Sequence, residues 1–227
     1  MRFYRGIAVP AGEAAATIAT IQQNGLQVRN AGWRMIAQDL KPHLDWLWSL
    51  PSIARSDVDL VPSDETPHRI CACADKTSAL FYACKKNVNA TDTASILITF
   101  DADIADVIVD GRDFLYTVFQ MGNPDLARPI LERLFGSAIL RYAERAWATP
   151  KGDHQRIAIC HLAVQDDDVI SAHARNTAVT GGRYGTEFRS AFMVRMPIPS
   201  EHIVSIQEVS ARDFSFPDPE ILLQSVV

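Results

Sequence analysis

The stretch Phe3-Tyr4-Arg5-Gly6-Ile7 sets an arginine at the centre of a short apolar run and follows it at once with a glycine. It reads as a strand over residues 3–9, ended by Pro10. A helix over residues 12–23 follows, with Ala14, Ala15, Ile18 and Ile21 at helical spacing, and Asn24-Gly25-Leu26 reads as its stop. A strand that carries a buried or half-buried arginine is costly unless the guanidinium has a partner. That partner is either a structural carboxylate or a bound phosphate, and the choice between them decides what the protein does.

The length of 227 residues suits one large domain, or a domain with a substantial insertion. An apolar content of 48% with 22% charged residues implies a real core. No apolar run approaches the roughly 20 residues that a membrane span needs, and charge interrupts the first residues before a signal-peptide core could form. A cytoplasmic protein is the expectation, or one delivered into a target cell without such a signal. Cys71, Cys73, Cys84 and Cys160 lack paired zinc-ligand spacing and read as reduced, mostly buried thiols, with Cys71 and Cys73 on one strand face. A net charge of −5 argues against a broad basic field for nucleic acid.

Further along, Pro42 interrupts an amphipathic helical pattern over residues 33–50, residues 51–67 read as a surface loop, and residues 26–29 as a short strand. Residues 68–74 read as a strand and 78–86 as a helix, with Asp75 as its N-cap. Two strands are expected over 95–102 and 105–109, then a tight turn at Asp110-Gly111. A long helix over about 126–148 has Pro129 in its first turn, and a second helix over roughly 153–164 ends in Asp166-Asp167-Asp168. From Val169 the chain reads as extended, with a flexible loop at Gly181-Gly182. Strands then cover residues 186–196 and 203–209. This order fits an α+β fold whose strands come together from both ends of the chain.

Three pieces stand out: Tyr4-Arg5-Gly6 on the first strand; the strand-then-helix unit Ile70-Cys71-Ala72-Cys73-Ala74-Asp75-Lys76-Thr77-Ser78-Ala79-Leu80-Phe81-Tyr82-Ala83; and Gly185-Thr186-Glu187-Phe188 entering a late strand. Their order resembles the ADP-ribosyltransferase superfamily across roughly residues 3–209. The resemblance implies one domain with a split mixed or antiparallel β-sheet core, carrying a mainly helical insertion at about 125–165. It implies NAD as substrate, Glu187 as the catalytic carboxylate, and Arg5, Tyr4, Gly6, Thr77, Ser78 and Tyr82 as the NAD-binding group, with no metal. The activity implied is mono-ADP-ribosyl transfer to a protein or nucleic-acid acceptor, in the manner of a toxin or defence effector held in check by an inhibitor or antitoxin protein. The chain departs from the arginine-directed members. Ala72-Cys73-Ala74 stands where they carry Ser-Thr-Ser, and Gly185 where they carry a second Glu or Gln. It also lacks the first-strand histidine of the histidine–tyrosine members.

The chemistry fits the residue types. A guanidinium on a rigid strand binds phosphate bidentately. A carboxylate facing the oxocarbenium that develops as nicotinamide leaves stabilises that state preferentially. Plainer readings stand beside these. Arg5 pairs with a structural carboxylate; Glu187 is an exposed strand residue on the same face as Arg189; Phe81 and Tyr82 pack the core; and Asp110-Gly111-Arg112-Asp113 is a turn with a helix cap. His154, His161 and His173 invite a metal reading that lacks a carboxylate at the right spacing, and Asp166-Asp167-Asp168 is a solvated acidic turn rather than a cation site. Cys160 and His161, adjacent on a helix, do not face each other. The alternatives to the enzyme are a non-catalytic binding module on the same scaffold, or an unrelated α+β protein.

Overall fold

The computed structural model describes residues 1–27, 68–86, 92–150, 153–181 and 187–227. The expectations for residues 28–29, 33–50 and 51–67 and for Gly182 lie outside them. Nine strands and seven α-helices are present among the described residues: β1 (Arg2–Pro10), α1 (Ala14–Asn24), β2 (Arg69–Cys73), α2 (Lys76–Phe81), β3 (Thr93–Asp101), β4 (Val107–Val109), α3 (Arg112–Met121), α4 (Pro124–Phe135), α5 (Ile139–Ala148), α6 (Asp153–Val164), α7 (Asp167–His173), β5 (Thr180–Gly181), β6 (Glu187–Phe188), β7 (Ala191–Arg195), β8 (Ile203–Val209) and β9 (Ile221–Leu222). The α+β class expected from the sequence is thus present. Six strands form an antiparallel sheet in the order β4-β7-β2-β1-β3-β8, and β6-β5-β9 form a second, three-stranded one. Among the described residues no helix is long and apolar enough to cross a membrane.

Alternation along the strands divides the six-stranded sheet into two unlike faces. Phe3, Ile98, Phe100, Phe192 and Val194 point into a large core shared with α1 and the helical layer α3–α7, and the Phe3 ring lies 5.4 Å from that of Phe192. The other face carries Cys73 and Leu97 against Ala79 and Leu80 of α2, with Tyr4, Tyr82, Phe214 and Phe216 at its margin. The second contact is unusually close. A Cβ on Gly6 would lie 1.9 Å from the Ala79 carbonyl oxygen and 2.7 Å from the Ala83 nitrogen, so α2 rests on bare β1 backbone.

Several sequence expectations are corrected. The long helix over 126–148 is two helices, α4 and α5. Gly136, at φ 76°, turns the chain between them and admits the Ala172 methyl, which would stand 2.5 Å from a Cβ there. Helix α4 begins at Pro124 under an Asn123 cap, so Pro129 is interior rather than first-turn, and it has no N–H to give back to the helix. Of Asp166-Asp167-Asp168, the last two are exposed as expected, but Asp166 is a helix cap rather than part of a solvated turn. Asp166 Oδ1 accepts from the N–H groups of Asp168 (2.9 Å) and Val169 (3.3 Å), its other oxygen is bonded by Tyr142 and Arg141, and α7 starts there instead of extended chain. The strand expected over 186–196 is broken at Arg189-Ser190, placing β6 and β7 in different sheets.

The helical layer is tied to the sheet by a neutral histidine. His173, fully buried, stacks on Phe135 at 4.9 Å. Its Nδ1 donates to the Leu134 carbonyl (2.8 Å), and its Nε2 accepts from the Ala191 N–H (3.3 Å) at the start of β7. Burial holds the imidazole down at about 4. Because the unfolded chain binds the proton more tightly, stability is intact above about pH 6.5 and falls on acidification toward pH 4, by about 3 kcal/mol. Urea unfolding across that interval should show the slope in the wild type and lose most of it in His173→Gln. Gly6→Ala forces backbone against backbone and should cost about 3 kcal/mol or more on the same measurement.

Candidate functional site

Strand β1 pairs with β3 over nine residues, from Arg2↔Asp101 to Pro10↔Thr93, but meets β2 at the single pair Tyr4↔Cys73. Beyond that pair Arg5 stands at the seam. Its Nη1 donates to the Cys71 carbonyl at 2.6 Å, supplying a β2 acceptor from a side chain where β1 backbone no longer does. The residue is half-buried, and desolvation pulls its guanidinium below the ordinary value, opposed by the neighbouring Cys71 and Cys73 sulfurs. Among the described residues no carboxylate forms an ion pair with it. Of the two partners expected for Arg5, the structural carboxylate is therefore not found among them.

Helix α2 stands over this seam. Asp75 caps it as expected, its Oδ1 accepting from the Ser78 N–H at 2.7 Å. Thr77 is exposed in the first turn, whereas Ser78 is buried at 6%. Past Phe81 the helix widens into a π turn over Tyr82–Lys86. Tyr82 is half-buried and meets the Phe81 ring edge-on at 5.4 Å. Burial raises its phenol above the ordinary value, Cys73 adds to this, and Arg189 opposes it. Tyr4 lies on the same face, opposite Cys73. Gly6 is covered by α2 backbone, which gives it a packing role.

Glu187 enters from the second sheet, on β6, opposite Gly181. Its carboxylate is held by Arg189. Nη2 at 2.6 Å and Nε at 3.1 Å both reach Oε2, and no hydrogen bond engages Oε1 among the described residues. Arg189 is buried to 1% while Glu187 keeps 24% of its side chain exposed, so the carboxylate faces out from a fixed cation. The guanidinium lies 3.9 Å over the Phe81 ring, and Nη2 also reaches the Pro217 carbonyl at 3.4 Å. Arg5 and Glu187 do not bond each other. The buried Cys73 thiol is raised chiefly by desolvation and drawn back by both Arg189 and Arg5.

Arg189, Phe216 and Pro217 were not marked by the sequence as parts of this arrangement. The same-face spacing of Glu187 and Arg189 was visible, but not that the chain turns a corner at Arg189 and buries it. Asp110 is a further member. Val109 pairs with Phe192 and Ala191 with Cys73, so register carries Asp110 to the face of Cys73 and Tyr4. It bonds the Cys71 thiol, which burial first and Asp110 second push up to about 11. Among the described residues no group of three His, Cys, Asp or Glu could hold a metal ion.

Although Cys71 is exposed as a residue, its thiol should therefore alkylate slowly. At pH 8 iodoacetamide should modify it about 100-fold more slowly than a free cysteine peptide, and Asp110→Asn should speed the reaction. Comparison with protein-family models, with curated proteins and with solved structures found no match.

Proposed function

We propose that the protein is a mono-ADP-ribosyltransferase that consumes NAD and modifies a macromolecular acceptor. The reading rests on the geometry of Glu187, a half-exposed carboxylate with one oxygen fixed by a buried arginine and the other without a hydrogen bond among the described residues. A free Oε1 accepts a ribose hydroxyl while the charge faces the cation that forms as the C1′–nicotinamide bond breaks. Nicotinamide leaves neutral with the bonding electron pair, and an acceptor nucleophile forms the new bond to C1′. Arg5 supports the reading as a cation without a carboxylate partner among the described residues, suited to a diphosphate. Tyr82 and Tyr4 supply aromatic surface on the Cys73 face of the sheet.

One observation favours a second reading, a binding module without turnover. Ala72-Cys73-Ala74 brings no hydroxyl to the middle strand, and both Ala72 and Cys73 are buried. Release of nicotinamide from NAD by the purified protein separates the two. Turnover in the wild type, lowered about 100-fold or more in Glu187→Gln with an unchanged circular dichroism spectrum, is the outcome expected of the enzyme. Glutamine keeps an oxygen for Arg189 but removes the charge opposite it, and the spectrum checks that the fold survives. An NAD-dependent rise in melting temperature without release selects the binding module, and neither effect overturns both readings.

A further inference from the structure

Arg189 is the largest fully buried side chain among the described residues, and its surroundings fix it in plane and in direction. Phe81 lies flat beneath it at 3.9 Å. Phe81 is in turn buttressed edge-on by Tyr82 at 5.4 Å and by Phe216 at 5.8 Å. The Pro217 carbonyl, between β8 and β9, accepts from Nη2 at 3.4 Å. Among the described residues the guanidinium's other hydrogen bonds go to one atom, Glu187 Oε2, from two of its nitrogens. A purely structural ion pair is satisfied by any pairing of oxygens, and the common fork-to-fork pairing engages both. Here both donors converge on one oxygen and leave the other at the half-exposed end.

We infer that Arg189 is a positioning residue for Glu187. Seated on Phe81 and tied by the Pro217 carbonyl, it holds the carboxylate with Oε1 presented outward, so that the chain between β8 and β9 takes part in setting the site. The inference rests on the transferase reading, in which Glu187 faces the reacting ribose. Arg189 touches no substrate and acts through the geometry it imposes. Lysine at this position keeps the charge but not the planar two-donor fork, and leucine at position 81 keeps apolar bulk but not the flat ring.

Steady-state nicotinamide release is measured for the wild type, Arg189→Lys, Phe81→Leu and Phe216→Ala, with thermal melting as a fold control. The expected result for Arg189→Lys is a kcat lowered about 30-fold with the KM for NAD within twofold of the wild type. Phe81→Leu and Phe216→Ala should show smaller losses of the same kind. Unchanged kcat in folded Arg189→Lys, or a change confined to KM, overturns the inference. If Arg189→Lys does not fold, the kcat-against-KM split in Phe81→Leu and Phe216→Ala decides by the same criterion. If the wild type releases no nicotinamide, the transferase reading fails separately. The positioning claim is then decided by crystal structures of the wild type and Phe81→Leu: the two-donor contact of Arg189 on Glu187 Oε2 should be lost in the variant, and a carboxylate held unchanged overturns it.

Discussion

The contact on which the rest of the site depends is backbone on backbone, where α2 lies on β1 at Gly6. No side chain separates them, so α2 sits closer to the sheet than an ordinary helix–sheet spacing would bring it. This sets the height of Phe81 and Tyr82 above β2. Phe81 then serves as the surface on which Arg189 settles, and Arg189 determines where the Glu187 carboxylate goes. A glycine that reads in sequence as a flexible point after an arginine is in fact a contact of fixed distance.

Two arginines flank Cys73 and use their charge differently. Arg189 gives up nearly all contact with water, and such a charge is tolerable only with a carboxylate, a ring and a carbonyl around it. Arg5 retains some exposure and spends one donor on the Cys71 carbonyl. The first cation is committed to the fold; the second keeps donors for something else. The thiols of Cys71 and Cys73 are held protonated, chiefly by burial, so neither adds a charge near neutrality.

Local signals were legible in the sequence, and long-range ones were not. Strand β1, the Asp75 cap and β8 follow from alternation, capping chemistry and turn residues, each set by neighbours within a few positions. The division of the long helix at Gly136 was missed because the glycine is demanded by the Ala172 methyl on α7, a partner far along the chain. Asp166 was misread for a related reason. A run of three aspartates looks solvated until Tyr142 and Arg141 are brought onto the first of them. In the candidate site, residue type and order single out Arg5 and Glu187 in the sequence, but not what surrounds them. Arg189 could not be singled out, since nothing in the local pattern says that an arginine between a short strand and a longer one turns inward onto an aromatic ring.

The corner at residues 189–190 has a mechanical consequence. Within five residues the chain leaves one sheet at Glu187–Phe188 and joins another at Ala191, and its pivot is the buried guanidinium. Sliding of the smaller sheet against the larger would be concentrated at this pivot and appear as rotation of the attached carboxylate, with the imidazole of His173 anchoring the far end at the Ala191 amide. The corner thus joins the two sheets at a single buried charge, so neither can be displaced without disturbing the Glu187–Arg189 contact.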